Sequence, residues 1–210
     1  MSRAHRTLVI GLTGSIGMGK STAAAMLRRM GLPLHDADAA VHRLLGPGGG
    51  AVGAVADAFP TALAEGKIDR RRLGSLVFRD PAALARLEGI LHPLVRQMAV
   101  DFVRCHRRRN SRRVVLDIPL LFETGGGRLC DCTIVVTAPP FVQEARVMAR
   151  PGMTLARLEA IRAKQMPEGE KCRRADFVVQ SGLSKGFTYR QLAAIVALLG
   201  APDRKERPIA

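Results

Sequence analysis

The sequence predicts an α/β fold in which a parallel sheet is covered by helices on both faces, three layers in all, with a helical insertion beside it. Three observations lead there. Short apolar runs suited to buried strands alternate with segments of helical character. A glycine-rich turn joins the first such run to the first helix. The stretch from about Gly48 to Arg109 reads as mostly helical. A chain of 210 residues with 47% apolar content suits one sizeable domain with an insertion. Aromatics are scarce, at seven Phe, one Tyr and no Trp, so the core must be aliphatic.

Thr7–Leu8–Val9–Ile10–Gly11–Leu12 reads as a buried strand, and Lys20 to Met30 as a helix rich in Ala, Met and Leu. Gly31 stops it, and Leu32–Pro33–Leu34–His35 forms a second short strand. Asp38 to Leu45 is helical, and Gly46–Pro47–Gly48–Gly49–Gly50 breaks the chain. Asp80 caps a further helix with Pro81 at its first position. Its stripe of Leu84, Leu87, Leu91, Val95, Met98 and Phe102 is core, interrupted by Pro93. Val114–Val115–Leu116–Asp117–Ile118 and Asp131–Cys132–Thr133–Ile134–Val135–Val136–Thr137 are buried strands. Pro139–Pro140 opens a helix through Arg150. Thr154 caps the next, with Leu155, Leu158, Ile161 and Gln165 inward. Phe177–Val178–Val179–Gln180 is a last strand and Tyr189 to Leu199 a last helix. The polar tail after Gly200 is expected to fray.

The net charge of +15 points to polyanionic partners: nucleic acid, or substrates carrying several phosphates. No nucleic-acid module is recognisable, and so few aromatics argue against base stacking. No specific nucleic-acid partner is therefore expected. The four cysteines, Cys105, Cys130, Cys132 and Cys172, show no zinc-ligand spacing and read as thiols in a reducing compartment. No stretch is long and apolar enough for a secretory signal or a membrane span. A soluble, cytoplasmic protein, monomer or weak oligomer, is expected.

Gly14–Ser15–Ile16–Gly17–Met18–Gly19–Lys20–Ser21 matches the phosphate-loop pattern G-x-x-x-x-G-K-[ST], with a strand before it and a helix after. Successive backbone N–H groups can wrap a triphosphate, and the helix N-terminus adds a favourable dipole. Gly17 and Gly19 allow the backbone angles this requires. Lys20 then bridges the β- and γ-phosphates, the Ser21 hydroxyl ligates Mg²⁺, and Thr22 touches the α-phosphate.

No Asn-Lys-x-Asp segment exists to read a guanine base, and the chain is short for a motor. A small-molecule kinase fits better. Asp36 and Asp38 follow the second strand, and a hydroxyl acceptor needs a carboxylate to take its proton. One can cap the helix while the other catalyses; Asp38 is read as base and Asp36 as support. Asp117 ends a Val-Val-Leu run, where it can hold Mg²⁺, orient the acceptor, or simply bond the turn before Pro119. Gln143, Arg146 and Arg150 share a helical face ahead of the joint Pro151–Gly152. Arg146 and Arg150 are read as catalytic cations of a lid, at about residues 150–165; Arg157 and Arg162 are read as structural.

In order, several stretches resemble one family, the dephospho-CoA kinases. They are Gly11–Leu12–Thr13–Gly14 through Ser21, Asp36–Ala37–Asp38, Leu91–His92–Pro93–Leu94 and Pro119–Leu120–Leu121–Phe122–Glu123. The Gln143/Arg146/Arg150 helix, Gln165, and Lys171–Cys172–Arg173–Arg174–Ala175–Asp176–Phe177–Val178 complete the series. The likeness runs from Leu8 to about Leu199. It implies ATP-dependent phosphorylation of the ribose 3′-hydroxyl of dephospho-CoA, giving CoA and ADP, the last step of coenzyme A biosynthesis. It also implies a P-loop nucleotide-kinase-like core with a CoA-binding insertion at about residues 48–110. Asp38 falls at the family's base position; Arg43, His92, Pro93 and Glu123 fall in motifs lining the acceptor, and Asp36 and Asp117 are grouped with them. The family usually has Gly where Ser15 stands and commonly Ser where Met18 stands. Arg70–Arg71–Arg72 suit the acceptor's pyrophosphate, whereas Arg107–Arg108–Arg109 read as a solvated face.

Overall fold

The structure, a computed structural model, describes residues 6–78 and 80–200. The expected fraying of the tail falls outside the described residues. In chain order the elements begin with β1 (Leu8–Thr13), α1 (Lys20–Arg29), β2 (Leu34–Asp36), α2 (Ala37–Leu45) and α3 (Val52–Ala58). Next come β3 (Leu63–Ala64), β4 (Lys67–Ile68), α4 (Arg70–Phe78), α5 (Pro81–Arg108) and β5 (Arg113–Asp117). The chain continues with β6 (Cys132–Thr137), α6 (Pro140–Met148), α7 (Leu155–Ala163), α8 (Glu168–Arg174), β7 (Phe177–Gln180) and α9 (Lys185–Gly200). Two compact units form: the described residues of Met1–Leu34 with His106–Ala210, and His35–Cys105.

The main sheet has the order β2-β5-β1-β6-β7. β1 runs parallel to both β5 and β6, and β6 runs parallel to β7. Every residue of β6 is buried, as a strand covered on both faces requires. In the first unit α1 and α9 pack on the sheet through Leu27, Leu192 and Ile195 against Ile10, Ile134 and Val136. In the β1–β5 register Leu12 lies opposite Asp117, and Ile118 N–H donates to Leu12 O at 3.0 Å. The carboxyl ends of these strands therefore finish side by side, where α/β sheets bind ligands.

Two expectations for α6 and α7 change. α6 stops at Met148, not Arg150. Arg150 precedes Pro151, whose ring disfavours helical angles in the residue before it. In α7 Leu158 is fully buried, but Leu155, at the first helical position, is 54% exposed.

The second unit has its own core, built on Val55, Phe59, Ala62, Ile68, Leu73 and Leu91. Asp80 caps α5 as expected, its Oδ1 accepting from Ala82 N–H at 2.8 Å and Ala83 N–H at 3.1 Å. Pro93 does not interrupt α5, which runs unbroken over 28 residues. Residues on both sides of it, Leu87, Leu91, Ala99 and Val103, are buried, and this packing outweighs one missing backbone bond. The antiparallel β3–β4 hairpin was absent from the expected helical stretch. Its strands are two residues each, and Glu65–Gly66 between them both take positive φ, at 49° and 72°, as a tight hairpin turn needs.

Candidate active site

In the first unit the phosphate loop joins β1 to α1. Gly17 and Gly19 have φ of 76° and 88°, the left-handed region that a side chain resists. At Gly17 a Cβ would also stand 2.6 Å from Val147 Cγ2. Lys20, Ser21 and Thr22 begin α1, with the Ser21 and Thr22 side chains at the exposed end. Lys20 Nζ meets Asp117 Oδ1 at 2.7 Å, with side chains only 15% and 5% exposed. Asp117 thus stands at the loop, beside the invariant cation of the motif. Thr13 Oγ1 donates to Pro119 O at 2.9 Å and ties the turn there.

The loop is held from outside as well. Gln143 Nε2 donates to Ile16 O at 2.8 Å, and Ile16 N–H donates to Gln165 Oε1 at 3.2 Å. Ser15 Oγ donates to Glu168 Oε2 at 2.6 Å. Arg146 donates to Ser181 O at 2.7 Å, to Ser181 Oγ at 3.0 Å and to Gly17 O at 3.4 Å. Ser181 Oγ in turn donates to Met18 O at 2.6 Å, and Ala138 N–H donates to Met18 Sδ at 3.1 Å. A cavity of about 370 Å³ lies between the loop and α7, lined by Ser15, Gln143, Arg162, Gln165 and Glu168 among others.

Glu123, expected at the acceptor side, turns one oxygen inward. Its Oε1 lies 2.9 Å from Lys171 Nζ and accepts Met166 N–H at 2.9 Å. Burial pushes the Glu123 pKa up, but the Lys171 ammonium and the Met166 N–H outweigh it, and the carboxyl sits below its ordinary value. Gly125 takes φ of 68° and leads the unassigned Gly125–Gly126–Gly127 run into a short 3₁₀ turn. Burial raises the Cys130 and Cys132 thiols to about 12 and about 11, so neither supplies a thiolate at neutral pH.

The remaining expected residues belong to the second unit. Asp36 Oδ1 accepts Ala39 N–H at 3.0 Å and caps α2, leaving Asp38 exposed in the first turn. Arg43 is in the last turn of α2 and exposed; His92 and Pro93 are exposed on α5. His35, just before Asp36, is 5% exposed, with its ring 5.5 Å from Phe102. Burial, then the Arg43 cation, lowers its pKa. His42 Nδ1 lies 2.8 Å from Arg70 Nη1.

The structure thus gathers Lys20, Asp117 and Arg146 at one loop. Arg150 is not on the Gln143–Arg146 face, since it lies beyond the end of α6 and is exposed. Sequence reasoning missed Ser181 and Glu168. Arg162, expected to be structural, donates to Gln143 Oε1 at 2.7 Å and so braces the residue that holds Ile16. Lys171 stands in the Lys171–Val178 stretch that carried the resemblance, but its full burial is not visible in sequence.

A parallel sheet with a phosphate loop at its carboxyl edge, a lysine opening the following helix and a helical second unit define a P-loop kinase with the α/β nucleotide-kinase fold. The dephospho-CoA kinase family model matches residues 8–185. Dephospho-CoA kinase of Paramagnetospirillum magneticum is 59% identical over 202 residues, 96% of this chain and 93% of that one. The crystal structure of TT1252 from Thermus thermophilus superposes with a TM-score of 0.79 at 38% identity, covering 93% of this chain and all 100% of that one. Dephospho-CoA kinase from Campylobacter jejuni shares the fold, with a TM-score of 0.65 at 24% identity over 92% of this chain and 98% of that one. The chain belongs to the dephospho-CoA kinase family, which phosphorylates dephospho-CoA to CoA in the last step of coenzyme A biosynthesis. Among the described residues no helix is long and apolar enough to cross a membrane.

Proposed function

We propose that the phosphate loop, Gly14 to Ser21 with Thr22, holds ATP, and that the acceptor is the ribose 3′-hydroxyl of dephospho-CoA. The Lys20–Asp117 pair at 2.7 Å, formed where the loop meets the end of β5, carries the ATP assignment, and the family match over residues 8–185 supports the acceptor. An arriving triphosphate would draw Lys20 from Asp117 onto the β- and γ-phosphates. Arg146, already directed at Gly17 O and the Ser181 hydroxyl, supplies a second cation at the loop. Arg150, beyond α6, is proposed to add positive charge from the lid.

Mg²⁺ fits the donor set. The Ser21 hydroxyl at the start of α1 and the Asp117 carboxylate are hard oxygen ligands, and they would hold the ion. When bound, it would neutralise charge on the β- and γ-phosphates.

The acceptor oxygen attacks the γ-phosphorus, the bond to the β–γ bridging oxygen breaks, and ADP leaves. Asp38 is proposed to take the hydroxyl proton. Its carboxylate is exposed and makes no side-chain hydrogen bond among the described residues, while Asp36 is occupied as the helix cap. Arg43, His92 and Pro93 are proposed to line the acceptor, with Glu123 supporting that side. The helices at about 48–110 are proposed to bind the CoA moiety, and the 150–165 segment to act as lid. Four free thiols suit a cytoplasmic enzyme, proposed to work as a monomer or weak oligomer without a specific nucleic-acid partner.

The test is ADP release with ATP and dephospho-CoA, and mass detection of the 3′-phosphorylated product. Transfer to another alcohol but not to dephospho-CoA would defeat the acceptor assignment.

A further inference from the structure

Lys171 is fully buried, at 0% exposure, in a helix whose Arg173 and Arg174 face water. Burying an ammonium is unfavourable, and an apolar side chain of similar length would fill the same space without that cost. The charge is therefore best explained by what it holds. It holds Glu123 Oε1, and the same oxygen accepts Met166 N–H.

Met166 sits in the turn between α7 and α8. Its neighbour Gln165 accepts from Ile16 N–H, and Glu168, opening α8, accepts from Ser15 Oγ. One carboxylate oxygen thus pins the turn, and both side chains leaving that turn grip the phosphate loop. Ser15 supplies the hydroxyl that Glu168 holds, a bond that a glycine at this position could not make.

We infer that Lys171 and Glu123 are a positioning pair that fixes the α7–α8 turn and, through Gln165 and Glu168, sets the phosphate loop in the shape that receives ATP. The inference rests on the phosphate loop being the ATP site. The pair touches no reacting atom. It acts by anchoring the loop backbone at Ser15 and Ile16 before nucleotide arrives, so that the loop needs little reorganisation on binding.

The experiment compares two double variants of the full chain, Lys171→Met with Glu123→Gln and Lys171→Met with Glu123→Ala. Neither leaves a buried charge unpaired. Gln keeps an oxygen for Met166 N–H; Ala does not. ATP binding is titrated calorimetrically without acceptor. The Ala double should bind ATP on the order of tenfold more weakly than wild type, and the Gln double should stay within about twofold. If the Ala double is partly unfolded at the assay temperature, the titrations of all variants are repeated well below its Tm, where each is fully folded, because a partly unfolded population weakens apparent affinity by itself. Asp176→Ala is the structural control. It removes the acceptor of Thr133 N–H and Oγ1, both at 2.8 Å, so it should lower Tm without moving ATP affinity. Two doubles that bind ATP alike would overturn the inference, as would an Asp176→Ala variant weakened as much as the Ala double. A wild type that does not bind ATP would remove the phosphate-loop reading itself, and the inference with it.

Discussion

The two units treat their candidate residues in opposite ways. In the first, the phosphate loop is bonded from several elements: Lys20 by Asp117, Ile16 by Gln143 and Gln165, Ser15 by Glu168, Gly17 by Arg146. In the second, Asp38, Arg43 and His92 stand exposed on helices and make no side-chain hydrogen bond among the described residues. The loop is braced before its ligand arrives. The residues proposed for the acceptor side have no such bracing among the described residues. Braced donors serve charge that must be met without reorganisation, which is the demand of the triphosphate.

That contrast predicts a division of effects. Lys20→Ala should be the most damaging substitution, lowering turnover on the order of 10³–10⁵ because the transferring phosphoryl loses its main cation. Its fold should persist, as circular dichroism can check. Asp38→Asn should follow, with kcat reduced by roughly 10²–10⁴. A loose transition state would put the loss at the lower end, read from steady-state rates. Arg146→Ala breaks the bonds to Gly17 and Ser181 and should weaken ATP binding about tenfold, measured by titration. Asp36→Ala removes a helix cap and should cost about 0.5–2 kcal/mol in denaturant unfolding.

Acid should lower stability in two stages. Burial lowers the His35 pKa, so this histidine stays neutral in the fold while the unfolded chain takes up a proton. Its contribution is full above 6.5 and declines as pH falls below that value. The Glu123 carboxyl lies below its ordinary 4.5, so its contribution is full above 4.5 and is lost as pH falls through the folded value. Tm measured from pH 8 to pH 3 should decline in two stages, with His35→Gln reducing the first and Glu123→Gln the second.

Much of this was legible in the chain, for physical reasons. The strands are continuous apolar runs because both faces of the sheet are covered, and the phosphate loop is read from fixed Gly and Lys positions that backbone geometry demands. Asp80 and Thr154 announced their helices because capping is local. What stayed hidden is nonlocal. Ser15 and Glu168 are 153 residues apart and Lys20 and Asp117 97 apart, so nothing short of the fold pairs them. Pro93 misled in the other direction, since a local rule lost to packing along α5.

The central claim is that nucleotide binding and proton acceptance reside in different units. The most direct measurement is ATP affinity and turnover taken together for Lys20→Ala and Asp38→Asn. The account predicts that Lys20→Ala loses both, while Asp38→Asn binds ATP as wild type does yet turns over dephospho-CoA at least about 10²-fold more slowly. An Asp38→Asn enzyme with full turnover, or one whose defect is entirely in ATP binding, would contradict it.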